Sequence, residues 1–238
     1  MGTPQIAPAN RRARLLVCAF GPFPGVAVNP SEALARALVR LRRPALAACE
    51  IRLLILPTRW ASLALLDDTL ARFCPDAVLL LGVASRRRLV ELETRAANAT
   101  RPAADAARRH PAGRVLVPGA PRALTTTARL SPLLAALRGQ KVPARRSRDA
   151  GRYLCNAAYF HALAGLERPG EGGMPAPAVF VHLPGRSGRP AGVSAQCMAR
   201  GLCALLVALA GQAGRARATP RRFAGGAPPL HKPTDLIE

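Results

Sequence analysis

Leu15-Leu16-Val17-Cys18-Ala19-Phe20-Gly21-Pro22 is an apolar run of strand length closed by two chain breakers, and it reads as a buried β-strand. Outward from it, Asn29-Pro30-Ser31-Glu32 opens residues 33–41 as a helix. Asn29 supplies the cap, Pro30 suits the first helical position, and Glu32 stands three residues after the cap. Residues 51–56, closed by Pro57, make a second strand, residues 59–73 a helix, and residues 77–81 a continuous apolar third strand. Strand, helix, strand, helix, strand is the alternation of an α/β protein. Strands that are apolar on both sides predict a largely parallel central sheet with both faces covered.

The rest of the chain is less regular. Residues 89–97 alternate, with Leu89, Glu91 and Glu93 against Val90 and Leu92; residues 130–138, 156–166 and 195–209 read as helices, and 178–182 as an apolar strand. Residues 99–121 are rich in Ala, Arg and Pro and predict a long surface excursion, functional or mobile. From Gly211 onward the chain is mostly Gly, Pro, Ala and Arg, which predicts a flexible tail. The expected organisation is a basic N-terminal extension over 1–13, a single α/β domain over 14–210 and the tail over 211–238.

Composition excludes several classes of function. The 238 residues are 50% apolar, enough for a full core, and carry a net charge of +22. Only Lys141 and Lys232 are lysines, and the arginines are spread from Arg11 to Arg222 without interleaved aromatics. This is compositional drift rather than the clustered basic surface of a nucleic-acid binder, so no specific nucleic-acid partner is expected. The longest apolar run, residues 77–84, is far short of the ~20 residues of a membrane helix, and residues 1–14 lack the apolar core of a secretory signal. A cytoplasmic protein without a membrane partner is expected. The six cysteines contain no Cys-x-x-Cys and fall singly in apolar segments, which argues against a disulfide framework or a zinc site. No cofactor is called for.

Three residues fall at strand ends or a helix start, where α/β folds place reactive groups. Cys155 follows a turn containing Gly151 and opens the helix near Asn156, a position that lowers a thiol pKa and offers free N–H groups to an oxyanion. His182 ends the strand at 178–182, where an imidazole can act as general base. Glu93 is an acid in a strand-like segment and can fix the tautomer of that imidazole, or pair with Arg87 or Arg95. Together they would make a Cys-His-Glu triad.

The surrounding motifs are more specific. Phe20-Gly21-Pro22-Phe23-Pro24-Gly25 and Asn29-Pro30-Ser31 resemble the N-terminal motifs of the pyroglutamyl-peptidase I (pyrrolidone-carboxylate peptidase) family of cysteine peptidases. So, in order, do Pro75-Asp76, Leu81-Gly82-x-Ala84 with Arg87 and Glu93, Ala97-Asn98, Ala150-Gly151, Leu154-Cys155-Asn156 with Tyr159, and Val181-His182-x-Pro184. The resemblance covers about residues 14 to 210. It implies a single-domain, three-layer α/β/α sandwich that hydrolyses the amide after an N-terminal pyroglutamyl residue, with Glu93, Cys155 and His182 as the catalytic set. It further implies a homodimer or homotetramer, and a lactam pocket walled by Phe20 and Phe23 and completed by Tyr153 and Leu154. Val83 stands where the family has a glutamine that can hydrogen-bond the lactam, and Ser85-Arg86 replace two glycines. An amidase with an altered pocket, or a weakened homologue, is the nearest alternative; a basic nucleic-acid-binding protein is a more distant one.

Overall fold

Ala13–Phe20 forms β1, and from Leu15 onward it is buried on both sides because the sheet it belongs to is covered on both faces. The computed structural model describes residues 11–23, 26, 28–41, 43–166, 175–185 and 193–218. The strands β2 (Cys49–Leu56), β3 (Ala77–Ala84) and β8 (Ala178–Pro184) run parallel to β1, in the order β2-β1-β3-β8. Beyond β8 the sheet continues with β4 (Val90–Glu93), antiparallel to β8, and then β7 (Ala144–Ser147), parallel to β4. The sheet is thus largely parallel, as expected, with its last two strands reversed.

Among the described residues, five α-helices cover it. On one face α1 (Pro30–Arg40), α3 (Leu130–Gly139) and α5 (Ala195–Ala218) enclose a core with Val17, Leu79, Leu81 and Val181. On the other, α2 (Ser62–Phe73) and α4 (Leu154–Leu166) enclose Leu16, Cys18, Phe20, Leu80 and Phe180. The three-layer sandwich is therefore present, and strand alternation assigns each sheet residue to one layer or the other.

The cap at α1 does more than end a helix. Asn29 Oδ1 accepts from Ser31 N at 3.0 Å while Nδ2 donates to the Gly21 carbonyl at 2.9 Å, and Thr58 Oγ1 donates to the same carbonyl at 3.1 Å. The end of β1 is pinned from two elements. Glu32 pairs with Arg36 instead of closing a capping box.

Residues 89–97 do not form one half-buried strand. All four β4 residues are buried, and the chain leaves the sheet at Thr94, whose N–H and hydroxyl both donate to the Ser147 carbonyl. It continues as β5 (Arg95–Ala97), paired antiparallel with β6 (Ala123–Thr125) in a ribbon against α4. The excursion at 99–121 is tied down. Asn98 Oδ1 accepts from Leu116 N at 3.0 Å and Val117 N at 2.9 Å, and the Asp105 carboxylate accepts from Trp60 N, Ala107 N and Arg109 N at 2.8–2.9 Å.

The domain boundary expected at 210 lies within a helix, because α5 runs on to Ala218. By length and composition Ala195–Ala216 would suffice to cross a membrane, but Leu202, Leu205, Leu206 and Leu209 are fully buried in the core. Past residue 210, Ala213 is buried, and Gln212 grips the start of α3, accepting from Arg129 N at 2.8 Å and donating to its carbonyl at 3.0 Å. The remainder of the expected tail, and residues 1–10 of the expected extension, lie outside the described residues. Replacing Gln212 by Ala leaves two backbone groups without their partner, so Gln212→Ala is expected to cost about 1–3 kcal/mol in urea unfolding. A chain ending at Ala210 should lose at least as much; a domain that ended there would be indifferent to both changes.

Candidate active site

The α2/α4 layer contains a line of buried polar side chains in an otherwise apolar setting. Phe180 and His182 alternate onto that face of β8, and the rings lie 4.7 Å apart. On the reversed strand Glu91 is the register partner of His182, so Glu91 and Glu93 share the same face. His182 is 4% exposed and Glu93 not at all. Glu93 Oε1 lies 2.7 Å from His182 Nδ1, and an ionised carboxylate there makes Nδ1 the protonated nitrogen. Nε2 is then the nitrogen left free to take a proton.

Cys155 reaches the same spot from the other side. Gly151, at φ +78° where a side chain would be strained, turns the chain with its N–H bonded to Asp149 Oδ1, and α4 begins at Leu154. The thiol then rests on β3 at Gly82: a Cβ built there would stand 2.9 Å from Cys155 Sγ and 2.6 Å from Phe180 Cζ. Gly82 is the register partner of His182. The absent side chain on β3 is the space the thiol occupies beside the imidazole strand.

Electrostatics correct one expectation. Burial, first, and then the charge of Glu93 push the Cys155 thiol up to about 12, against the opposing pull of Arg87 and the helix N–H. The helix start acts in the expected direction but is outweighed by burial, and an adjacent base favours loss of the thiol proton. Burial is also the largest influence on Glu93 and works to raise it. The hydrogen bond and charge of His182, the Ser147 hydroxyl and Arg87 together hold this carboxyl below its ordinary value. Arg87 Nη1 donates to Glu93 Oε1 at 2.6 Å, so both readings of Glu93, imidazole partner and ion-pair partner, hold at once; Arg95 instead donates to the Arg148 carbonyl.

The other expected residues divide. Phe20 is buried at the end of β1 in the same layer as Cys155, and Phe23 is exposed on the following turn. Tyr153 is half-buried; its ring meets Trp60 edge-on at 5.4 Å, Arg101 stands 5.4 Å above it, and its hydroxyl donates to the Ala104 carbonyl at 2.9 Å. Leu154 is a core residue, 1% exposed, and its side chain is spent on packing. Val83 is not brought to the thiol: strand alternation turns it to the opposite face, against the α1/α3/α5 core. A side chain at 83 therefore does not read a ligand held beside Cys155. Among residues the sequence left unremarked, Trp60 is the chain's one tryptophan, a signal in a protein with 4% aromatics. Tyr159 donates to the Glu93 carbonyl at 3.1 Å and fixes the acid's backbone.

Comparison with known proteins agrees with this geometry. Residues 13–192 match the family model described as pyroglutamyl peptidase. The chain is 34% identical over 178 residues to the pyrrolidone-carboxylate peptidase of Gloeobacter violaceus, covering 72% of this chain and 81% of that one. It is 33% identical over 175 residues to that of Thermococcus kodakarensis, with the same coverage of each. The crystal structure of pyroglutamyl peptidase I from Bacillus amyloliquefaciens superposes with a TM-score of 0.72 at 25% identity, covering 84% of this chain and 98% of that one. An α/β protein with a buried acid–imidazole pair beside a cysteine, matched over this span, belongs to the pyroglutamyl peptidase family of cysteine peptidases.

The seat of the thiol gives a direct test. Gly82→Ala places a methyl group inside contact distance of Phe180 and Cys155, so a loss of about 1–3 kcal/mol is expected, with a changed rate of Cys155 alkylation by iodoacetamide. Unaltered melting together with unaltered labelling would show that the thiol does not rest on β3.

Proposed function

We propose that this chain hydrolyses the amide bond between an N-terminal pyroglutamyl residue and the amino acid that follows it. The observation that carries the reading is the 2.7 Å contact of His182 Nδ1 with Glu93, on the strand whose neighbour seats the Cys155 thiol. Cys155 Sγ attacks the scissile carbonyl while His182 Nε2 takes the thiol proton. First-turn N–H groups of α4 face the oxyanion. His182 returns the proton to the leaving amine as the C–N bond breaks, leaving a thioester. Water, deprotonated by His182, then releases pyroglutamate and restores the thiol. Glu93 orients the imidazole and stabilises its cation.

The lactam is small, flat and without a free amine, so apolar walls suit it. Phe20, Phe23 and Tyr153 supply them in this reading, with Trp60 buttressing Tyr153. Ser85 and Arg86, in the turn after β3, are the observation that favours a second reading, an amidase of the same mechanism with altered ring selectivity. A homodimer or homotetramer acting in the cytoplasm on peptides with N-terminal pyroglutamate completes the proposal.

The purified chain is expected to release a reporter amine from a pyroglutamyl amide and not from an amide with a free N-terminal amine. Cys155→Ser and His182→Ala should each abolish turnover, and Glu93→Gln should leave residual activity, reduced about 10²- to 10⁴-fold. Full activity in Cys155→Ser would end the assignment of the nucleophile; turnover of other amides in preference to pyroglutamyl ones would favour the second reading.

A further inference from the structure

Two buried carboxylates on one face of one strand repel each other unless a cation stands between them. Glu91 and Glu93 are such a pair, 3% and 0% exposed, two residues apart on β4. Arg87, in the turn between β3 and β4, fills the gap. Its Nη1 donates to Glu91 Oε2, to Glu93 Oε1 at 2.6 Å and to Ser147 Oγ at 3.3 Å, and its Nη2 donates to the Asp149 carbonyl. The Glu93 oxygen it holds is the same Oε1 that holds His182 Nδ1. Glu91 is shared in turn: its Oε1 accepts from Arg145 Nε at 2.8 Å, on a side chain that is 64% exposed.

We propose that Arg87 is a positioning residue that divides one positive charge between Glu91 and Glu93, and so sets the pH range in which the Glu93–His182 pair can serve Cys155. The proposal rests on the reading of Cys155, His182 and Glu93 as the reactive set. Its physical basis is that Arg87 touches the acid without an intermediary. With Nη2 it also holds the turn that leads through Gly151 into the cysteine helix. One planar fork thus joins the acid's strand, Ser147 on β7 and the approach to the nucleophile, a geometry that a point-charge ammonium cannot reproduce.

Among the described residues the groups facing Glu93 are few, and the direction of the effect follows from their charges. They are His182 from β8, Glu91 from its own strand with Arg145 behind it, Ser147 from β7, Arg87 from the turn, and Cys155 and the Tyr159 hydroxyl from α4. Removing a cation raises the proton affinity of every one of these that titrates; removing an anion lowers it. The sign is therefore the same whichever member of the coupled set an observed pKa reports.

The test is the pH dependence of kcat/KM for a pyroglutamyl amide with the full chain, comparing Arg87→Met, Arg87→Lys and Glu91→Gln. Arg87→Met is expected to move the acid limb up by about one pH unit or more. Arg87→Lys should keep the limb near its native position while lowering kcat, because charge survives and the fork does not. Glu91→Gln should move the limb down. Opposite shifts for Arg87→Met and Glu91→Gln would not arise from a structural role, which lowers the height of a profile without displacing it. An Arg87→Met profile that shrinks in place overturns the proposal. Should that variant fail to fold, an acid limb in Glu91→Gln that stays put or rises overturns it equally. If the native chain releases no amine, the functional reading fails first, and the pH profile of Cys155 alkylation across the same variants then decides the role of Arg87 by the same signs.

Discussion

A charged carboxylate with no solvent exposure is the constraint around which the functional end of this molecule is arranged. Glu93 lies in a sheet with Leu92, Val181 and Phe180 close by and Ser147 as its register partner, and its Oε2 is buried without a hydrogen-bond partner among the described residues. Desolvation of that kind neutralises an acid unless opposite charge and donors outweigh it. Here the imidazole of His182 and the guanidinium of Arg87 meet on one oxygen, and the tyrosine behind the strand locks its backbone. The reversed direction of β4 makes this possible. It brings Glu91 level with His182 near the end of β8 and sends Glu93 inward, so the acid supports the imidazole from within the protein.

Glycine at 82 is the second half of the same solution. The protein makes room for a nucleophile by deleting a side chain from a central strand. The cysteine then sits half-buried on the sheet, beside the strand that carries the base. A base held in one tautomer beside a thiol is suited to taking its proton as a substrate carbonyl arrives.

Much of this arrangement is legible in the sequence. The strands β1, β3 and β8 announce themselves as continuous apolar runs and β2 by an apolar stretch closed at Pro57, and the cap at Asn29 marks the start of α1 to the residue. Glu93, Cys155 and His182 stood out by position and by resemblance together. What escaped was governed by partners distant in sequence. The strands β6 and β7 are three and four residues long, and β7 carries two arginines, so neither has an internal pattern to read. The break at Thr94 depends on the Ser147 carbonyl, more than fifty residues away. The helix start that pulls the thiol's pKa down is a local feature, whereas the burial that pushes it up is set by distant partners. Val83 departs from its motif reading for a simpler reason: a motif position carries residue type, whereas strand parity decides which face the side chain joins. Its neighbour Gly82 faces the site and Val83 cannot.

The two outer strands give the arginine-rich composition a physical use. An edge strand presents unpaired N–H and C=O groups to which a second chain can add, and the sheet has two such rims, β2 and β7. Arg145 and Arg146 occupy the middle of β7, and exposed Glu50 and Arg52 alternate along β2. A second copy approaching β7 in register would set guanidinium against guanidinium, and like charges directly opposite are destabilising. Growth of the sheet from molecule to molecule is thereby discouraged at that rim.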